Sequence, residues 1–574
     1  MVVACGSADW QPPPAPFPHA PPAAAVGLAP TGKPVATLAP PAAAALPASF
    51  VELRDALLDR WLADEPSWAR ELGLHEYDGR VGAYAGDDIA RRIARLEHAV
   101  ERLRAVDVGD LDENDRFDRV RLLSKAELDL FNLRERRLHE TSPMFYDELF
   151  DVSSYIDFDY APFAERARKL VEHQEAALGQ VKHVFANLRP TLSKPVAQTA
   201  VKIFSGYAEY LRGDVKKLMG SVADAELRRR FDASNEALAS EATRISETLA
   251  RDFVPRGDDS HVLGRDRFLG LVAAQEGVPI PLAALKQMAD EDLARNKRVF
   301  QELSPRAKPR RPKAGEVMTT ATRMMEEARA FLVKKGIVTL PSEERCSVKE
   351  SPPYMRWNAA FLNMPGPFDN AKQAYYYITL PDPSWPEKEQ EEYIFPLGNL
   401  LATTVHETYP GHFVHGLWVR RAATRVQKMV SSYSFTEGWA HYTEQMMIDE
   451  GFGAKDPQNR LGQLSDALLR NCRFVVAIGL HAETMTLEQA ERRFVEDCFQ
   501  DRATARQQAV RGTFDPGYFA YTLGKLQILE LREEAKRRLG KRFELRRFHD
   551  ALLGHGAPPV GSVADAVLRA IGAL

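Results

Sequence analysis

Between residues 49 and about 300, apolar residues recur almost without interruption at three- and four-residue spacing, and this periodicity most restricts the fold. Segments such as "DIARRIARLEHAVERLRAV", "DENDRFDRVRLLSKAELDLFNLRERRL", "PFAERARKLVEHQEAALGQVKHVFANL" and "DAELRRRFDASNEALASEATRISETLARDFV" each carry one apolar stripe flanked by charge. That spacing places the apolar side chains on one face of an α-helix, whereas a half-buried strand needs strict alternation, which is scarce here. Ser49 and Glu52 form a capping-box pattern just before Leu53, Leu57, Leu58, Trp61 and Leu62, so folded sequence is expected to begin there. The expected class is mainly α. A loop over 304–315 ("SPRAKPRRPKAG") and a further helix over 316–336 close this half.

The texture then changes. "SPPYMRWNAAFLNMPGPFDN" reads as loop, and "AYYYITLPD" (374–382) is the best strand candidate, aromatic and β-branched before a proline. An open edge on such a strand could add an extended peptide backbone, so Tyr375, Tyr376 and Tyr377 are candidate substrate contacts. Tyr393, Leu397, Leu400, Leu401 and Thr404 then share one face of a helix that runs into His406.

There the chain reads "HETYPGH" (406–412), close to the H-E-x-x-H zinc helix but with the second histidine two residues late. Six residues apart on a regular helix, the two rings would sit about 120° apart around the axis and about 9 Å apart along it. Pro410 lacks an N–H and its ring clashes with the carbonyl four residues back, while Gly411 permits unusual backbone shapes. A bulge at 408–411 would bring His406 and His412 together as metal ligands, with Glu407 in the place of a general base. If Pro410-Gly411 merely ends a helix, the histidines have no shared task. His415, one turn later, reads as structural or as a residue supporting the ligands from behind.

A third ligand is expected from "SYSFTEGWAHYTEQMMIDEG", where Glu437, His441 and Glu444 fall on one helical face. Glu437 is the candidate ligand, although Ser434 and Glu437 also match a capping box. In "FDPGYFAYTLGKLQILELREEAKRRLG", Asp515 reads as an N-cap, Pro516 as the first helical residue and Gly540 as the stop. Tyr518 and Tyr521, with His441, are candidate oxyanion donors, and Lys525 a candidate substrate contact.

The chain has 574 residues, 45% of them apolar and 27% charged, and a formal net charge of −4. Its lysines and arginines form no long basic run, so nucleic acid is not the expected partner. No apolar run approaches the ~18 residues of a membrane span. Cys5, Cys346, Cys472 and Cys498 are too few and scattered for a disulfide framework, and no C-x-x-C pair offers a thiolate site. The start "VVAC" followed by Gly resembles a bacterial lipoprotein cleavage box, which would make Cys5 a lipid anchor, and residues 11–47 are a Pro/Ala-rich spacer suited to a tether. This reading places the protein in the cell envelope or periplasm; an accidental match leaves it cytoplasmic.

"HETYPGH", "TEGWAHYTE", "DPGYFAYTLGK" with "LREEAKRRLG", and "FELRRFHDALLGHGAPPV" resemble, in order and approximate spacing, the bacterial domain-of-unknown-function 885 family over roughly residues 50–574. That family is similar to the all-helical gluzincin peptidases. The resemblance implies a large two-lobed helical fold with a deep central channel and a small β element beside the metal helix. It also implies one Zn2+ held by His406, His412 and Glu437, with Glu407 as the base. The expected organisation is a lipoprotein-like start and linker (1–47), a helical scaffold (48–340) and a metal-bearing lobe (341–574). The expected activity is zinc-dependent hydrolysis of peptide or peptide-like amide bonds. The alternatives are a non-catalytic peptide-binding envelope lipoprotein and a metal-dependent amidase or esterase with a non-peptide substrate.

Overall fold

The computed structural model describes residues 49–352, 355–356 and 358–574. Cys5 and the Pro/Ala-rich segment through residue 47 lie outside them. The first helix, α1 (Phe50–Asp64), opens with the expected box: the Ser49 hydroxyl accepts from the Glu52 N–H at 3.3 Å, and the Glu52 carboxylate accepts from the Ser49 N–H at 3.2 Å. The striped segments form α2 (Gly86–Ala105), α3 (Glu113–Leu130), α4 (Phe163–Gln180), α5 (Lys194–Tyr210) and α6 (Ala225–Thr248). They are followed by α7 (Arg265–Glu276), α8 (Leu282–Leu303) and α9 (Val317–Lys335), with 304–313 a loop, so the mainly helical class holds.

Three short strands follow: β1 (Cys346–Glu350), β2 (Ala360–Asn363) and β3 (Ala374–Ile378). Their order in the sheet is β1-β3-β2, with β1 parallel and β2 antiparallel to β3. The expected strand is therefore real but central. Both of its edges are paired, so it cannot add a peptide, and the free edge nearest the histidines belongs to β2.

The remaining helices include α10 (Leu397–Glu407), α11 (His412–Val419), α12 (Tyr433–Asp449), α13 (Pro457–Ala482), α14 (Leu487–Glu496), α15 (Arg502–Phe514) and α16 (Ala520–Leu539). The cores are built across sequence distance. One joins α9, β3, α10, α12 and α16, and another joins α7 and α8 to α13 through α16. A disulfide links Cys472 on α13 to Cys498 just beyond α14, a pairing that 26 residues of separation and the absence of a framework pattern had not suggested. No helix among the described residues is long and apolar enough to cross a membrane.

Candidate metal centre

The two extra residues in "HETYPGH" are absorbed by a full break between helices rather than by a bulge within one. α10 stops at Glu407, the Tyr409-Pro410 peptide is cis, and α11 restarts at His412. The Gly411 N–H donates to the Val405 carbonyl at 3.1 Å, folding the chain back against the end of α10. A Cβ at Gly411 would lie 1.8 Å from the His406 carbonyl oxygen, so only glycine permits this approach. Trp439 Nε1 donates to the Pro410 carbonyl at 2.8 Å and pins the turn to α12.

As a result the His406 and His412 rings meet at 4.7 Å between centroids, nearly perpendicular. Glu437 reaches them from α12, with its Oε2 3.5 Å from Nε2 of each. Ligand atoms at about 2.1 Å from one tetrahedral zinc would be separated by about 3.4 Å, close to what is observed. These three side chains are the one group of three potential metal ligands that converges among the described residues, and the buried Glu437 Oε2 has no hydrogen-bond partner. Two imidazoles and an orphaned carboxylate oxygen fit a divalent cation.

Glu437 is free for this role because the helix is capped elsewhere: Ser432, not Ser434, is the N-cap of α12, and its hydroxyl accepts from the Phe435 N–H. His406 turns its other nitrogen, Nδ1, to Glu444 Oε1 at 2.7 Å, an arrangement that orients Nε2 toward a ligand position. Burial disfavours charge on His406, and Arg470 opposes it too, yet Glu437 and Glu444 outweigh both and raise its pKa to about 9. An environment that favours a proton there also favours a cation. Burial likewise opposes the charge on Glu444, but Arg470, 3.1 Å away, and His441 hold its carboxyl well below the usual range.

Glu407 is buried beside both histidines, and its Oε2 accepts the Leu362 N–H of β2 at 2.9 Å. Burial raises the pKa of its carboxyl. The contact also fixes the direction of β2. In the antiparallel register the Ala360 and Leu362 backbone groups face away from β3, so the outward edge of β2 borders Glu407.

Other expected residues lie elsewhere. His441 is fully buried with Nδ1 3.2 Å from Glu444 Oε2; Glu444 stands between the two rings, so His441 is screened from the ligand atoms. Lys525 is no surface contact: its Nζ makes a 2.7 Å ion pair with Asp292, both side chains being buried. Asp515 caps the end of α15, and α16 starts only at Ala520, because residues 516–519 form turns. Tyr518 therefore sits in the α7/α8/α13 core, its hydroxyl unpartnered, whereas Tyr521 faces Arg470. Tyr376 is buried with its hydroxyl 3.4 Å from Thr404 Oγ1, Tyr377 packs on Phe361, and Tyr375 lies under Lys349. His415 is buried against Phe435 with Nε2 3.3 Å from the Gly556 carbonyl, and burial lowers its pKa to about 4.

Two glycines bring α16 to the site. A Cβ at Gly524 would lie 1.7 Å from the Ser434 carbonyl oxygen, and one at Gly438 would lie 2.5 Å from the Gly524 backbone. These clashes explain the glycines in "TEGW" and "TLGK": the helices touch backbone to backbone. Sequence reading missed Arg470, Arg473, Arg511 and Tyr433, which surround Tyr521. The only available signal was the three-residue spacing of Arg470 and Arg473, which on a helix puts both on one side.

A family model for bacterial proteins of unknown function, DUF885, matches residues 66–567. The chain belongs to the DUF885 family. Two solved structures share its fold. One is described as a putative lipoprotein of unknown function from Shewanella oneidensis, with 22% identity, a TM-score of 0.73, and coverage of 91% of this chain and 100% of that one. The other, described as a putative lipoprotein from Colwellia psychrerythraea, has 20% identity, a TM-score of 0.74, and coverage of 91% and 99%. No curated protein matches the chain significantly.

Proposed function

We propose that this DUF885 protein is a zinc-dependent hydrolase of peptide or peptide-like amide bonds. The observation that carries the reading is the convergence of His406, His412 and Glu437, with Glu407 directly beside them. Zinc, when bound, supplies Lewis acidity. Glu407 takes a proton from the attacking water; the water oxygen bonds to the carbonyl carbon, the C–N bond breaks, and the proton passes to the leaving nitrogen. Glu444 holds His406 in the tautomer that leaves Nε2 free.

The peptide class is supported by the outward edge of β2, where the Leu362 N–H is held by Glu407 but the Ala360 backbone groups and the Leu362 carbonyl can pair with an extended chain. Of the two tyrosines, we assign the oxyanion to Tyr521, whose ring faces Arg470, rather than to Tyr518, which is buried in the α7/α8/α13 core. An envelope location accords with the lipoprotein descriptions of the two structural relatives and with the Cys472–Cys498 disulfide, since such bonds persist in oxidising compartments.

The test is Glu407→Gln, assayed for bound zinc and for cleavage of a peptide library by mass spectrometry. Retained zinc with turnover lowered by at least about 100-fold is expected for loss of a general base. Unchanged turnover would remove Glu407 from the mechanism, and a wild type that cleaves nothing while binding peptides would favour a capture role.

A further inference from the structure

Beyond the metal centre lies a cluster of cations that the reaction described above does not use. Arg470 links the two: its Nη2 is 3.1 Å from Glu444 Oε1 and 3.4 Å from His406 Nδ1. Its guanidinium also lies 5.7 Å from the centre of the Tyr521 ring. The same ring is flanked by Arg473 at 4.7 Å and Arg511 at 5.8 Å. Three guanidinium groups thus share one aromatic platform next to the ligand His406.

Two of these charges are matched within the protein. Arg470 is paired with Glu444, and Arg511 with Asp515 at 2.9 Å. Arg473 is different. It is 7% exposed, and its Nε donates to the neutral Gln508 Oε1 at 2.8 Å. Its terminal nitrogens have no protein partner among the described residues, and no carboxylate lies within ion-pairing distance. Contact with the Tyr521 face lessens the cost of burying this cation without neutralising it. A buried guanidinium with its planar fork unused is matched by a carboxylate, which it can bind through two parallel hydrogen bonds.

We propose that Arg473, assisted by Arg511, anchors the terminal carboxylate of the substrate. Resting on the hydrolase reading, this makes the protein one that cleaves peptides from their C-terminal end. Tyr433 supports the anchor: its hydroxyl receives Arg511 Nη2 at 3.1 Å and donates to Asp515 Oδ2 at 3.1 Å, holding Arg511 against the platform.

The test uses the full chain carrying Glu407→Gln, so that binding is read without turnover. Two pools of identical random-sequence peptides, one with free C-terminal carboxylates and one amidated, are compared by equilibrium dialysis with mass-spectrometric readout. Free acids should bind about 10- to 100-fold more tightly, the scale of a charge-assisted pair. Arg473→Met should abolish that preference while leaving binding of amides unchanged. Arg473→Lys, which keeps the charge but not the fork, should retain part of it and serves if the methionine variant does not fold. Equal binding of the two pools, or an undiminished preference in Arg473→Met, overturns the anchor. A preference that follows acidic side chains within amidated peptides overturns its assignment to the terminus. If the preference stands but the wild type cleaves no peptide, the hydrolase reading fails and the anchor survives; if the wild type cleaves acids and amides alike, the anchor alone fails.

Discussion

Replacing Gly411 by alanine tests whether the break in "HETYPGH" positions the ligands. The added Cβ would lie 1.8 Å from the His406 carbonyl oxygen and 2.5 Å from that of Val405, both backbone atoms, where real contacts begin at 3.0 Å. The end of α10 and the start of α11 must therefore separate by about 1.2 Å, the difference between 3.0 and 1.8 Å. A metal site tolerates only ~0.2 Å in its ligand distances, so His412 cannot follow that movement and still share an ion with His406. Overpacking of this kind costs about 1–3 kcal/mol, little enough for a large core to survive. Gly411→Ala is expected to fold, with lowered stability in urea and zinc affinity reduced by at least about 10-fold, measured by competition with a chromogenic chelator. Gly179→Ala, where the new Cβ meets nothing within 4 Å on a helix, is the control: zinc affinity should be unchanged and stability should not fall, since alanine favours a helix over glycine. Wild-type zinc affinity and stability in Gly411→Ala would refute the reasoning, because the close approach would then not be needed to bring the histidines together.

Glu444→Gln removes the carboxylate that orients His406 and pairs with Arg470; zinc affinity should fall about 10- to 100-fold, and an unchanged affinity would separate Glu444 from the metal centre. A second prediction concerns His75, which lies between Asp78 at 3.2 Å and Asp369 at 3.4 Å. Burial lowers its pKa, but hydrogen bonds to Asp369 and Asp78 outweigh that and raise it from 6.5 to about 9. A raised folded-state pKa means that the folded protein binds the proton more tightly. The stabilisation is therefore complete below about pH 6.5 and is lost as pH rises through about 9. The melting temperature of wild type minus that of His75→Gln should shrink over this window; a difference independent of pH would contradict the pairing.

Much of the architecture was legible because amphipathic helices announce themselves by periodicity, as the Ser49–Glu52 box and the stripes of α2 to α6 did. The convergence of His406, His412 and Glu437 was legible because His406 and His412 lie within seven residues and Glu437 heads the next suitable helix. Proline and glycine marked where α10 fails, but local chemistry could not distinguish a bulge from a break, which depends on Trp439 and the Val405 carbonyl. The sheet was misjudged because "CSVKE" and "AFLN" are too short to show alternation, so nothing in the sequence revealed that β3 is enclosed. Lys525 and Tyr518 were placed by helical spacing alone. Their surroundings, Asp292 and the α13 core, come from hundreds and tens of residues away, beyond the reach of any local pattern. Arg473 carried only the three-residue spacing from Arg470, a weak signal because arginines on a long helix normally face water.

The central claim is that His406, His412 and Glu437 share one ion. Zinc K-edge X-ray absorption on protein purified without chelators tests it most directly. One zinc per chain, with two imidazole nitrogens and carboxylate or water oxygens at about 2.0–2.2 Å and no sulfur, is predicted. The signal should be lost in His412→Ala. A protein that takes up no zinc, or whose zinc environment is unchanged in that variant, would contradict the account.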